Sequence, residues 1–519
     1  MLMLIAIIPA SAMPASSEGL DEFFSLRHLV REENACALPG VSIKYDSFIP
    51  CMWKAVASGH VQHKHATFVA DGLRNGFMAG VDTSLLQGHR WFRNYESALI
   101  NRAPITQGTM KRVRSGKTLR LGTWTHALGA LVRATFGSSA IFPMGAVPKP
   151  GSTEMRATDD HTRTGLNAAT VLEFLKHSLS ALNEISEFLL QDYFMRVSDV
   201  DAAFTLLPLH PDVWQYFMFR FFHSDDCDDQ SLFMHVCGDF GAAGMPGTFK
   251  IFFSDVVVGM ARSARVLTLP MPIYVDDCSA IGGCRVQVDA EMDAFHEWAD
   301  RICGVFFKAI KDRLAAQRQL VLGFWWDSTT FSRTLDESKL LLYVDMLADF
   351  SSRRKLSLRD MQVVAGRVQR CIMTFPPGAA CLLVSLFSLM VGLRLPWHAR
   401  RTTRRVRTDL QFIHNLLQVN LGRGFYSYKH FKSAPEVRSD ACKGRYCGGG
   451  YVSQCGRYNF WEYGSRAARQ LIDYLEGDCV VLCVEQLGHL WKNCTVPFGI
   501  DNSSFELSAA RRVVHEWSV

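Results

Sequence analysis

The sequence predicts an α+β protein of more than one domain, and three observations point to that class. Apolar residues in the segment 171–190 recur at helical spacing, and an apolar segment ending at Asp199 follows at once, which indicates a long helix and then a strand. A second acidic segment, Asp276-Asp277, lies between an apolar run and a small-residue run, as at the tip of a hairpin. From Val437 onward a new alternating pattern predicts a further domain that contains a sheet.

Length and composition describe an ordinary globular chain. Its 519 residues are 48% hydrophobic, which is enough for two to four domains with cores of their own. The 15 cysteines include no C-x-x-C pair, so a zinc ribbon and a regular disulfide framework are disfavoured. The apolar run Leu2–Ile8 has no positive segment before it and is discounted as a signal peptide. We therefore expect an intracellular protein of the cytoplasm or nucleus, with no membrane partner.

Between Asp199 and the Val437 pattern, the sequence predicts both helices and strands. The predicted elements are an aromatic strand pair (214–222), a glycine-rich approach loop (240–247), helices at 248–260 and 291–302, a buried strand (320–326), helices over 335–395 that are broken at 376–378, and a basic connector (396–407).

Positive charge is concentrated in one part of the chain. The segment Arg353–Arg407 carries 12 Lys/Arg and a single acid, Asp360, a local charge of +11, which leaves the remainder at 6 − 11 = −5. Such a segment is either a solvated basic face or a surface for a polyanion, and phosphate backbones are the commonest polyanion.

The acids form the candidate chemistry. If the two segments converge, Asp199, Asp276 and Asp277 offer oxygen ligands suited to Mg²⁺, in a site of the kind used for phosphoryl or nucleotidyl transfer. Asp201, two residues beyond Asp199, is expected on the same strand face and is an alternative ligand, although the spacing to Phe204 favours Asp199. Taken alone, Tyr274-Val275-Asp276-Asp277 is also compatible with a simple turn.

These residues, with others in a fixed order, resemble a reverse transcriptase fused to ribonuclease H, of the retrotransposon DIRS type, over residues 140–519. The matching segments are Val147–Gly151 followed by Arg156, Asp199 with Phe204 five residues on, Phe240-Gly241 through Pro246, Tyr274–Asp277, and Lys311 before Leu322-Gly323-Phe324. The resemblance implies a right-hand polymerase with fingers, palm and helical thumb, followed by a partial α/β ribonuclease H-like domain. The expected divisions are 1–95 (role unknown), 96–334 (fingers and palm), 335–429 (basic thumb and connection) and 430–519 (ribonuclease H-like, truncated).

The resemblance also assigns roles. Asp199, Asp276 and Asp277 would be catalytic and would hold two Mg²⁺ ions, with Mn²⁺ as the alternative, and Lys311 or its rival Lys308 would protonate the departing pyrophosphate. For the nucleotide, Lys149 and Arg156, on a basic hairpin of the fingers, would bind the triphosphate. Phe204 would exclude a ribose 2′-hydroxyl, and Phe240 and Gly241 would pack beside the nucleotide and the template base. The expected partners are an RNA or DNA template with its primer and deoxynucleoside triphosphates.

A second carboxylate set is expected near the C-terminus. Asp440, Glu485 and Asp501 match the order of ribonuclease H acids, but the fourth acid of that family has no counterpart before Val519. The resemblance therefore implies an RNA-directed DNA polymerase whose ribonuclease H activity is weak or lost. The alternatives are a decayed or domesticated element that binds nucleic acid without catalysis, and an RNA-dependent RNA polymerase.

Overall fold

A computed structural model describes residues 18–149, 154–175, 181–375, 379–420, 423–424, 432–433, 435–443, 447–464, 472–491 and 494–500. Three features singled out above lie outside them: the run Leu2–Ile8, the helix breaker at 376–378, and Asp501. The described chain mixes helices and sheets, as predicted. It divides into two compact units, the first comprising residues up to Leu182 and Phe194–Ala316, the second Asn183–Tyr193 and residues from Gln317 onward.

The first unit contains two larger sheets and a hairpin. The five-stranded sheet has the order His89–Trp91, Ser139–Phe142, Met218–Phe222, Gln230–His235, Thr118–Thr123. The four-stranded sheet, which we call the acid-bearing sheet, has the order Arg313–Ala316, Phe194–Asp199, Asp277–Gly282, Ile273–Tyr274, with all neighbours antiparallel. The separate hairpin pairs Met144–Pro148 with Met155–Asp159.

Helices surround these sheets. They are Glu18–Glu32, Tyr45–Ala57, His63–Asn75, Glu96–Ile100, Arg102–Arg114, His126–Thr135, His161–Thr164, a run of three helical segments (Met245–Phe249, Lys250–Val257, Val258–Ser263), and Arg285–Trp298 continued by Ala299–Cys303. The segments Lys250–Val257 and Ala299–Cys303 are π-helical. One continuous apolar core, from Leu20 to Ala315, packs under the acid-bearing sheet. This burial is the main stabilising contribution and gives the acids a rigid support.

The second unit begins with a four-stranded sheet and continues as helices. The strands are Arg318–Val321, Phe324–Asp327, Ser332–Leu335 and Arg423–Gly424, and a strand pair joins Lys355–Ser357 to Ala399–Arg401. The helices are Glu337–Ser352, Leu358–Cys371, Val384–Met390 and Arg404–Val419. Ser357 and Asp360 cap Leu358–Cys371 reciprocally, since each side chain accepts the other's backbone N–H. The helix Ala181–Phe188 spans the division between the units.

The C-terminal part of the second unit is another sheet with one long helix. Its strands are ordered Tyr458–Glu462, Cys447–Ser453, Val437–Lys443, Phe498–Gly499, and Lys432–Ser433 pairs in parallel with Cys494–Thr495. The helix Ile472–Leu487 covers the sheet and buries Leu475, Cys479 and Cys483 against it. The alternation expected from Val437 is confirmed as a strand. The expected divisions after residues 95, 334 and 429 stay predictions.

Three predicted elements differ in the structure. Residues 171–175 are not helical, because the Val171 N–H is donated to the carbonyl of Gly80 (2.8 Å) and tertiary contact overrides the periodicity. The aromatic segment 214–222 gives one strand, since Trp214 lies in a 3₁₀ turn with its indole N–H on Leu209 O (2.8 Å). The strand expected over 320–326 is a hairpin that turns at Leu322-Gly323, both with positive φ.

No helix in the described part of the chain combines the length and the apolar character needed to cross a bilayer.

Candidate active site

The acid-bearing sheet brings the three predicted carboxylates together. Asp199 ends its strand directly opposite Asp277, the first residue of the neighbouring antiparallel strand. Asp276 is tied to the same place, because its carbonyl accepts the N–H of Val200 at 2.9 Å. Side chains of directly opposed residues lie on one face of a sheet. Asp199 and Asp277, which are separated by 77 residues of sequence, therefore belong to one acidic cluster.

A strained turn presents these acids. Tyr274 pairs with Asp277, so Val275 and Asp276 form the two-residue connection of a hairpin. Val275 has φ of 59°, the left-handed region that such turns require at the first central position and that glycine normally occupies. A β-branched residue in that conformation costs on the order of 1–3 kcal/mol. Val275 packs against the core of the unit, and this packing offsets the strain.

The carboxylates repel one another in a poorly solvated place. Burial, followed by repulsion from Asp276 and Asp199, raises the pKa of Asp277 to about 6. Burial and the charge of Asp199 also raise the pKa of Asp276. Removing charge from water and placing like charges together both disfavour ionisation. Positive charge nearby would therefore stabilise the ionised carboxylates of this cluster.

Two lysines supply part of this positive charge. The Nζ of Lys308 donates to Oδ1 of Asp199, and the Nζ of Lys311 donates to Oδ2. Burial by itself lowers the pKa of Lys311, but its hydrogen bond to Asp199 and the other acids raise that pKa above its ordinary value overall. Both candidates for the proton-donor lysine thus lie at the same carboxylate, and the choice between them stays open.

Sequence reasoning gave no sign of the buried arginine that holds the strand of Asp199. The side chain of Arg196 is 3% exposed and makes a bidentate ion pair with Asp312, through Nε at 3.1 Å and Nη2 at 2.6 Å. Its Nη2 also bonds Asp293 at 2.7 Å, and Ser198 Oγ donates to Asp312 at 2.8 Å. Asp312 follows Lys311 in the chain, so this network fixes the strand and the lysine segment together.

The acidic cluster suits a divalent metal on chemical grounds. Its donors, Asp199, Asp276 and Asp277, are all carboxylate oxygens, the hard ligands that Mg²⁺ takes, and the raised pKa values show that positive charge is wanted there. Asp201 does not extend the set: the strand ends at Asp199, Ala202 has φ of 56°, and Asp201 is exposed in the turn between them. The expectation that Asp201 shares the strand face of Asp199 is therefore wrong.

An aromatic pair includes the ring that follows the strand of Asp199 in the chain. Phe204 is on a 3₁₀ turn after the strand of Asp199 and is 5% exposed, whereas Phe240 is 58% exposed. Their ring centroids are 4.7 Å apart. Gly241 has a steric role: a Cβ there would lie 2.0 Å from the carbonyl oxygen of Asp159, so only glycine lets this loop pack against that strand end.

The segment that carries Lys149 and Arg156 forms a hairpin, as expected. Lys149 directly follows the strand Met144–Pro148, and Arg156 is exposed on the returning strand opposite Val147. The Nζ of Lys149 pairs with Glu154 across the turn. Pro150 and Gly151 lie outside the described residues.

A second, buried polar group lies under the Phe240-Gly241 segment. Ligand atoms of Asp159, His235 and Asp239 all lie within 4.8 Å of one another, a spacing that would suit a metal. Two cations already balance the two carboxylates, however: His161 is 2.6 Å from Asp239, and Arg112 is 3.7 Å from Asp159. The group is thus electrically complete, and we assign no metal to it.

Of the C-terminal acids, Asp440 lies exposed on the strand Val437–Lys443, and Glu485 is exposed near the end of the helix Ile472–Leu487. Nearer to Asp440 on that helix is Glu476, which is buried and accepts the N–H of Ala441 at 3.2 Å. Nine residues, about 13 Å of helix, separate it from Glu485. A buried acid in contact with Ala441, the residue after Asp440, was not predicted. Helical periodicity alone does not show which turn of the helix faces the strand.

The basic segment exposes its charge. Arg400, Arg401, Arg404, Arg405 and Arg407 all project to solvent around the start of the helix Arg404–Val419. Trp397 is exposed beside them. By contrast, Arg353 at the other end of the segment pairs with Asp349 (2.5 Å) and Asp360 (3.6 Å). Exposed positive charge is therefore concentrated at residues 400–407.

The fold is similar to that of two solved structures of a foamy viral protease-reverse transcriptase. One, named dRH and in complex with double-stranded DNA, matches with a TM-score of 0.52 and 14% identity over 83% of this chain and 68% of that chain. The other, in complex with an RNA/DNA hybrid, matches with a TM-score of 0.52 and 13% identity over 90% of this chain and 60% of that chain. No family profile and no curated protein matches the sequence. The likeness is one of fold, and the chain has the mixed helix-and-sheet fold of these reverse transcriptases.

Proposed function

We propose that the protein is an RNA-directed DNA polymerase that extends a primer 3′-hydroxyl, with Asp199, Asp276 and Asp277 as its catalytic acids. The observation that carries the proposal is the convergence of these acids on neighbouring strands, in a fold similar to that of reverse transcriptases. Two Mg²⁺ ions held by these carboxylates would supply the charge stabilisation that nucleotidyl transfer requires. We retain the DIRS-type retrotransposon class as the proposed origin, on the motif order alone.

The residues around the acids have separate proposed tasks. Lys149 and Arg156, on the exposed hairpin, bind the triphosphate through charge-assisted hydrogen bonds. Phe204 closes the space at the ribose 2′ carbon, and Phe240 and Gly241 line the nucleotide. Lys308 and Lys311 neutralise Asp199, and Lys311 or its rival Lys308 supplies the proton for the departing pyrophosphate.

The partners follow from charge. A primer paired with an RNA or DNA template carries a dense row of phosphates, and the arginines of 400–407 offer the matching positive face. The segments 96–334 and 335–429 are the proposed fingers and palm and the proposed thumb and connection. For 430–519 we propose a ribonuclease H-like domain with Asp440, Glu485 and Asp501 as its acids, to which the position of Glu476 adds a fourth candidate.

Primer extension tests the proposal directly. The purified full chain, given a poly-A template with an oligo-dT primer, Mg²⁺ and dTTP, is expected to lengthen the primer, and Asp276→Asn is expected to abolish this while template binding by fluorescence anisotropy is kept. Asp225→Asn, an exposed carboxylate on a loop of the same unit, is the matched control and should behave as wild type.

Three outcomes contradict the proposal. Full activity in Asp276→Asn would remove the acids from the mechanism. Binding of template-primer without any extension by the wild type would favour a nucleic-acid-binding protein without catalysis. Extension with ribonucleotides as efficiently as with deoxynucleotides would favour an RNA polymerase.

A further inference from the structure

The segment that carries Phe240 is held from below by a buried ion pair. The side chains of His161 and Asp239 are 0% and 1% exposed, and Nε2 of His161 lies 2.6 Å from Oδ2 of Asp239. The ring of His161 is clamped between Phe142 (4.4 Å) and Phe217 (4.9 Å). A charged pair at this depth is held rigidly, because any displacement would leave an uncompensated buried charge.

The other oxygen of Asp239 shapes the loop itself. Oδ1 accepts the N–H of Gly241 at 3.0 Å and that of Ala242 at 3.1 Å. One carboxylate therefore fixes both the start of the loop and the turn after Phe240. The loop is also closed from the far side by Asn167, whose amide donates to Gly241 O at 3.2 Å and accepts from Ala243 N at 2.8 Å.

The same pair is joined to the basic hairpin. His161 follows the hairpin strand that carries Arg156 and ends at Asp159, and Gly241 packs directly against the carbonyl of Asp159. The hairpin base and the loop are thus anchored at one buried point. Phe240 lies between two anchored residues and contacts Phe204 at 4.7 Å, although most of its own surface is open to solvent.

We propose that the His161–Asp239 pair positions Phe240 against Phe204 and in this way sets the discrimination between deoxyribonucleotides and ribonucleotides. The inference rests on the proposed polymerase function. A gate ring excludes a hydroxyl group only if it cannot retreat, and the ring of Phe240, 4.7 Å away, is a direct packing neighbour of Phe204. His161 and Asp239 act as positioning residues, since neither is exposed to a nucleotide.

The test compares the efficiency of dUTP and UTP incorporation on one template by the full chain, because these two nucleotides differ only at the 2′ carbon. Because both nucleotides are measured with the same preparation, their efficiency ratio is independent of the fraction of folded enzyme. Asp239→Ala removes both the ion pair and the two loop hydrogen bonds, and the ratio is expected to fall about tenfold, mainly through a lower KM for UTP. His161→Gln keeps a donor toward Asp239 but removes the positive charge, so the ratio should fall less than in Asp239→Ala.

The matched control is another His–Asp pair of the first unit. His65 lies 3.2 Å from Asp255, away from the loop 239–243, and His65→Ala should leave the ratio unchanged even where it lowers the melting temperature. An unchanged ratio in Asp239→Ala would overturn the inference while leaving the polymerase proposal intact. An equal fall in the His65→Ala control would also overturn it, because general loosening would then explain the effect. A wild type without extension would overturn the proposed function and this inference with it.

Discussion

Replacing His235 with glutamine should remove about 2 kcal/mol of the stability loss that the first unit undergoes between pH 8 and pH 5. His235 is fully buried, and its Nδ1 lies 2.7 Å from the hydroxyl of Thr118. Burial, and next the charge of Arg112, lowers the pKa of His235 from its ordinary value of 6.5 to about 3. The ring is therefore neutral in the folded protein at every pH at which the protein is handled.

The sign and size of the effect follow from that pKa. Between pH 6.5 and pH 3 the unfolded chain binds a proton that the folded chain does not, so this group makes the free energy of unfolding fall as the pH falls. From pH 8 to pH 5 this group lowers the free energy of unfolding by about 2 kcal/mol, and nearly all of that loss occurs below pH 6.5. Asp159, whose pKa burial and then Asp239 raise to about 6, acts in the opposite direction. The comparison with a variant isolates the histidine, because Asp159 is present in both proteins.

The assay is urea unfolding of wild type and His235→Gln at pH 8, 7, 6 and 5, followed by tryptophan fluorescence. The lost ring packing costs the variant the same free energy at each pH. The gap between the two proteins should therefore narrow by about 2 kcal/mol toward pH 5. Two curves that stay parallel from pH 8 to pH 5 would refute a neutral buried His235.

Three further outcomes are expected. Gly241→Ala should abolish extension and lower stability by about 3 kcal/mol, because its Cβ would meet the backbone oxygen of Asp159 at 2.0 Å; Gly108→Ala, with open space around it, is the control for calorimetry. Arg196→Met should cost about 3–5 kcal/mol in chemical denaturation by leaving its carboxylate partners uncompensated, and a loss below 1 kcal/mol would contradict the network. With a pKa of about 6, Asp277 is mostly protonated at pH 5, so the Mg²⁺ concentration for half-maximal extension should rise about tenfold between pH 7 and pH 5, but stay level in Asp277→Asn if that variant retains activity.

Several parts of the fold could be predicted from the sequence because they depend on local pattern. The strand ending at Asp199 and the hairpin at Asp276-Asp277 each follow a local apolar pattern, whereas the hairpin of Lys149 and Arg156 was expected from the resemblance to reverse transcriptases. The convergence of Asp199 and Asp277 was inferred from chemistry and motif order, and the register bears out that the two meet.

The parts that were not predicted depend on distant contacts. The role of Arg196 rests on carboxylates about a hundred residues away, and that of His161 on Asp239, so no window of sequence shows either pair. The helix expected over 171–190 begins only at Ala181 within the described residues, because Gly80 captures the backbone of Val171. Glu476 was overlooked in favour of Glu485, since both lie on one helix and only packing distinguishes them.

The strained conformation of Val275 has a consequence for attempts to stabilise the protein by substitution. A glycine at this position would relieve the backbone strain but would also lose the contact of the Val275 side chain with the core, so its two effects on stability oppose each other. Without that contact the two peptide planes beside Asp276 and Asp277 would be freer to rotate, and the acids would be held over a wider range of angles. The branched side chain thus accepts backbone strain and in return fixes the direction of the carboxylates.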